Sequence, residues 1–88
     1  MKVKIQFDDD TGQKMIATFD MGAGTVSAEN GKKGTFTRRA DGAALDLSGD
    51  WNMTLTFAGE PNLVVGHTRA YSRSDGGPGG KATVIAVD

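Results

Sequence analysis

Apolar residues recur at every second position in short runs, and glycine- or aspartate-containing turns separate the runs. The clearest run spans Gly49 to Phe57, where Trp51, Met53, Leu55 and Phe57 alternate with Asn52, Thr54 and Thr56. Alternation with period two puts the four large apolar side chains on one face of a β-strand, which must bury them against other elements. The N-terminal run does the same with Val3, Ile5 and Phe7 between Lys2, Lys4 and Gln6. Asp8-Asp9-Asp10-Thr11-Gly12 breaks it, and Gln13 to Asp20 resumes through Met15, Ala17 and Phe19. The spacing predicts a hairpin around the acidic turn, with Phe7 and Phe19 in one core.

Gly22, Ala23 and Gly24 mark a bend, and Thr25 to Glu29 reads as a weaker strand leading into Asn30-Gly31, a dipeptide suited to a tight hairpin turn. Gly34 to Arg39 follows, then a second turn at Asp41-Gly42 and a strand over Ala44 to Ser48 carrying Leu45 and Leu47. Leu63 to Arg73 reads as one long strand. Ser74 to Gly80 cannot hold regular structure, since glycine costs backbone entropy and proline removes a donor. Lys81 to Val87 closes the chain as a β-branched run, and no segment carries a helical period. About eight short strands at roughly ten-residue spacing predict a single all-β domain over residues 1–88. The expected form is a small antiparallel barrel, with a two-sheet β-sandwich as the alternative.

Composition narrows the function more than the fold. The 88 residues allow one core and contain no cysteine, so neither disulfides nor thiolate metal sites reinforce it. A net charge of −1 argues against a general nucleic-acid binder or a polybasic membrane anchor. No apolar run approaches the roughly 18 residues of a membrane span, and Met1 to Phe7 alternates where a secretory signal has a charged region before an apolar block. The expectation is a soluble, cytoplasmic protein.

Gly49-Asp50-Trp51 at the start of a strand, with Arg69 on a later strand as the residue that covers the indole, resembles the Gly-x-Trp feature of lipocalin-like calycin barrels. That resemblance implies a barrel holding a small apolar ligand, with Trp51, Met53 and Phe57 lining the pocket.

Candidates for catalysis are sparse. Asp8, Asp10 and Gly12 match the start of a calcium loop, but the twelfth position from Asp8 is Phe19, so a solvated hairpin turn is the simpler reading. Asp75 to Thr83 fails as a phosphate loop, because Asp75 stands at its first glycine and Ala82 at its hydroxyl position. His67 is the only histidine, and nothing in the spacing selects Ser27, Ser48, Ser72 or Ser74 as its nucleophile. No enzyme activity, metal or cofactor is therefore expected.

Two polar clusters remain. Along a regular strand, Val65, His67, Arg69, Tyr71 and Arg73 share one face and Gly66, Thr68, Ala70 and Ser72 the other. Read as an outward row, the large face is a stripe of the residue types that anchor protein interfaces. Lys32, Lys33, Arg38 and Arg39 form a basic cluster that supports weak anion or nucleic-acid contact, offset by Asp41, Asp46 and Asp50. The leading expectation is a non-enzymatic module that binds another protein through His67, Arg69, Tyr71 and Arg73, with Arg38 and Arg39 as secondary contacts. Its most concrete form is a phage- or mobile-element-encoded inhibitor of a host protein. The alternatives are the calycin-like ligand barrel and an oligomer-forming structural component.

Overall fold

The computed structural model describes residues 1–88 as an all-strand chain with no helix, and hence none long and apolar enough to cross a membrane. Eight strands follow in order: β1 (Lys2–Asp9), β2 (Lys14–Asp20), β3 (Thr25–Ala28), β4 (Lys33–Arg38), β5 (Ala44–Gly49), β6 (Met53–Phe57), β7 (Thr68–Arg73) and β8 (Gly80–Val87). Each pairs antiparallel with the next, and β8 returns to β1, closing an up-and-down barrel. The barrel form is thus the one adopted, rather than the sandwich.

Closure follows from the alternation. Val3↔Phe19, Ile5↔Ala17 and Phe7↔Met15 align the apolar faces of β1 and β2, and Leu45↔Leu55 and Leu47↔Met53 align those of β5 and β6. These faces point inward and form one core that also takes in Val26, Trp51, Phe57, Tyr71, Ala82 and Val84. Across it runs a chain of aromatic contacts. Phe7 meets Tyr71 edge-on at 5.2 Å between ring centroids, Phe7 and Phe19 lie at 6.3 Å, and Phe19 meets Phe36 edge-on at 5.4 Å. Edge-to-face pairs of this kind contribute about 0.5–1.5 kcal/mol each beyond area burial.

The barrel has two unlike ends. At one, the turn end, lie the connections β1–β2, β3–β4, β5–β6 and β7–β8. Asp9 organises the first of these: its carboxylate accepts hydrogen bonds from the Thr11 amide and hydroxyl and from the Gln13 amide. At the other, the loop end, the connection from Ala58 to His67 folds over the barrel. Its last residues are pinned to β8, with the Gly66 amide donating to the Val84 carbonyl and the Val84 amide to that of His67. Leu63 packs against the core from this loop.

Two sequence expectations change here. The long strand over Leu63 to Arg73 begins only at Thr68, because a turn at Gly66, with φ of +93°, brings the His67 amide onto the Val64 carbonyl. The tryptophan strand begins at Met53, and Trp51 lies in the preceding corner, buried nonetheless. That corner is set by Gly34 and Gly49, which face each other across β4 and β5. The Asp50 amide donates to the Lys33 carbonyl and the Asp50 carboxylate accepts from the Lys33 amide at 2.8 Å, which locks the turn.

Gly34 has no room for a side chain, since a Cβ there would overlap the Ser48 carbonyl oxygen and lie 3.3 Å from the indole of Trp51. Gly34→Ala is expected to cost about 1–3 kcal/mol in denaturant unfolding, the range for overpacking. Gly22→Ala, whose Cβ meets only the Asp20 carboxylate at 3.6 Å, is expected to stay within about 0.5 kcal/mol. Equal costs for the two would show that the corner is not tightly packed.

Candidate functional site: an apolar cavity at the turn end

The row of large residues on β7 does not face outward. Tyr71 is 8% exposed, Arg69 and Arg73 are half-buried, and Thr68, Ala70 and Ser72 form the wet face. The register explains the reversal. Tyr71 lies beside Phe57 and Gly80, Arg73 beside Leu55, and Arg69 beside Ala82, all within the inward rows of their strands. Ala82 sets only a small side chain beside Arg69, whereas Gly80 is required by β1, since a Cβ there would meet the Asp8 and Asp9 backbone. Both arginines sit near strand ends, where an aliphatic stem packs inside while the head reaches the rim.

At the turn end the inward rows leave a cavity of about 100 Å³. Phe7, Met15, Ala17 and Phe19 come to it from β1 and β2, Leu47 from β5, Met53 and Leu55 from β6, and Trp51 from the glycine corner. Tyr71 and Arg73 reach it from β7, and Lys32 from the turn before β4. Arg73 makes a forked ion pair with Asp75, at 2.6 Å from Nη2 and 3.1 Å from Nε, and this pair holds the Asp75 carboxyl below the usual carboxylate range. Burial, reinforced by the negative charge of Asp9, pushes the Tyr71 phenol above its ordinary value.

The alternative pocket residues are divided by this geometry. Trp51 and Met53 line the turn-end cavity together, whereas Phe57 lines two smaller voids of about 30 and 10 Å³ at the loop end. His67 and Arg69 lie with Phe57 at the smaller of these, where His67 Nε2 and Arg69 Nε are buried without hydrogen-bond partners. Arg69 therefore lines a different void from Trp51, and the arginine sharing the tryptophan's cavity is Arg73. The basic cluster also separates. Lys32 and Lys33 are at the turn end, and Arg38 and Arg39 are at the other end of β4, each engaged by an acid: Arg38 by Glu60 at 3.1 Å and Arg39 by Asp46 at 3.1 Å. Asp46 also accepts from the Thr54 hydroxyl, so Arg39 belongs to a network on the outer wall.

Phe7, Met15 and Phe19 were legible as core residues from their alternation, but not as cavity lining. No local signal marks which inward positions lie where the filling stops short. The wall and its opening define the class of arrangement as an eight-stranded up-and-down barrel with one apolar end cavity, a size of barrel whose interior is either filled by side chains or holds one small ligand. No protein-family model, curated protein or solved structure matches the chain.

The raised phenol gives a pH prediction with a definite sign. With its folded value above the unfolded one, Tyr71 contributes stability that is fully present below about pH 10 and is lost as pH rises through the folded value. Phenolate absorbance near 295 nm should titrate above that of the denatured chain, and denaturant midpoints should fall across the same interval. A midpoint at or below that of the denatured chain would place the phenol in water.

Proposed function

We propose that this protein is a non-catalytic binding barrel that takes a small apolar group into the turn-end cavity. The observation that carries the reading is the lining: ten of its twelve residues are hydrophobic, among them Trp51. An engineered apolar cavity of about 150 Å³ accepts benzene. A cavity of about 100 Å³ that opens at the barrel end suits a short alkyl chain or a single ring seated partway out of the mouth. Water leaving such a wall supplies the driving force, at about 25 cal/mol per Å² of apolar surface removed from solvent.

A second reading, contact with another protein, draws on one observation. Val64 and Val65, at the tip of the loop-end connection, are 56% and 60% exposed and stand side by side as an apolar pair facing solvent. This reading moves the contact from the β7 row, which packs inward, to the loop between β6 and β7.

One set of variants separates the two. Toluene is expected to change Trp51 emission saturably and to raise the melting temperature, since a ligand bound only by the folded state stabilises it by mass action. Ala17→Leu, which fills the cavity from β2, should abolish both effects while the protein still melts cooperatively. Absence of any saturable change in the wild type would overturn the cavity reading. Capture of a protein partner that is lost in Val64→Ser/Val65→Ser, but retained in Ala17→Leu, would establish the second reading instead.

A further inference from the structure

The charged groups around the cavity specify more than an apolar guest. Of the twelve lining residues only Lys32 and Arg73 are charged, and both are cationic; no carboxylate lines the wall. The four ion pairs of the protein are Lys14–Asp8, Arg38–Glu60, Arg39–Asp46 and Arg73–Asp75, and Lys32 is in none of them. Three of the nearby acids are engaged elsewhere, while Asp10, whose charge also reaches Tyr71, makes no side-chain hydrogen bond or ion pair and opposes an anion from the β1–β2 turn. Asp9 is consumed by the hairpin amides, Asp8 accepts from the Gln6 amide and faces Lys14, and Asp50 caps the Lys33 amide. Tyr71 adds a phenol that stays protonated, and is therefore a donor, throughout the physiological range.

Resting on the cavity reading above, we propose that the ligand is a small amphiphilic anion: a short alkyl or aryl carboxylate whose apolar part enters the barrel and whose carboxylate meets Lys32 and Arg73 at the mouth. A carboxylate there takes charge-assisted hydrogen bonds from groups already positioned on the wall. Asp75 already occupies Arg73. It is an internal competitor for the same guanidinium, so ligand and Asp75 exchange places at the rim. The exposure of Lys32 keeps its contribution modest and sensitive to salt.

The test compares pentanoate, pentan-1-ol and pentylamine, which share an alkyl chain and differ in the head group, by Trp51 emission and calorimetry at low ionic strength. Pentanoate is expected to bind at least threefold more tightly than pentan-1-ol, and pentylamine most weakly. Lys32→Met should erase the preference for pentanoate while pentan-1-ol binding persists. Asp75→Asn, which releases Arg73, should tighten pentanoate severalfold and leave pentan-1-ol unchanged. Equal affinity for pentanoate and pentan-1-ol, a preference for the amine, or a pentanoate preference untouched by both substitutions would overturn the anionic assignment and leave the apolar cavity standing. Failure of all three compounds and of toluene would instead overturn the cavity reading beneath it.

Discussion

Pairing of β1 with β8 is the interaction on which the remaining structure depends. It turns a meander of short strands into a cylinder with no free edge, and so fixes the interior volume that the inward side chains must fill. A chain of 88 residues has little to fill it with. The composition carries one tryptophan, one tyrosine and four phenylalanines, and all but Phe36 and Phe57 are gathered around one end of the barrel. Side chains that look like surface residues in the sequence are drawn inside to complete the packing. The β7 row is the clearest case: Tyr71 is core, and Arg69 and Arg73 contribute aliphatic stems to the interior.

The two ends complete the cylinder differently. At the loop end the connection over Ala58 to His67 supplies Pro61 and Leu63, which line what little void remains. At the turn end Asp10 to Gln13 is too short and too polar to fold inward, and Trp51 approaches only from the side, held by the Gly34–Gly49 crossing and the Asp50–Lys33 bonds. The cavity therefore follows from connection length. A barrel closed at one end by a loop and left open at the other by hairpins concentrates its unfilled volume where a ligand can enter.

Period-two alternation made most of this fold legible. It placed Phe7 with Phe19 and aligned Met53, Leu55 and Phe57 on one face of β6, with Trp51 buried beside them though outside the strand, while the turn residues located the turns at Asn30-Gly31 and Asp41-Gly42. It also grouped Arg69, Tyr71 and Arg73 correctly on one face of β7. What alternation cannot say is which face points in, because both faces of that strand carry a plausible surface set. The decisive information is non-local: pairing puts Arg69, Tyr71 and Arg73 in register with Ala82, Phe57 and Leu55, the inward residues of β8 and β6, and nothing within residues 65–73 reveals it. The same limit applies to the candidate site. Trp51 and Met53 were assigned to a pocket together with Phe57, yet the length of β6 carries Phe57 to the opposite end of the barrel. The division into two ends emerges only after closure.

The most direct test of the cavity as the binding site uses the four methionines as reporters. Met15 and Met53 line it, Met21 lies at the loop end, and Met1 is exposed at the N-terminus. In a methyl NMR spectrum titrated with toluene, the account predicts saturable shifts of the Met15 and Met53 methyl resonances while Met1 and Met21 stay in place. Shifts confined to Met21, or uniform small changes at all four, would contradict it and place the guest elsewhere.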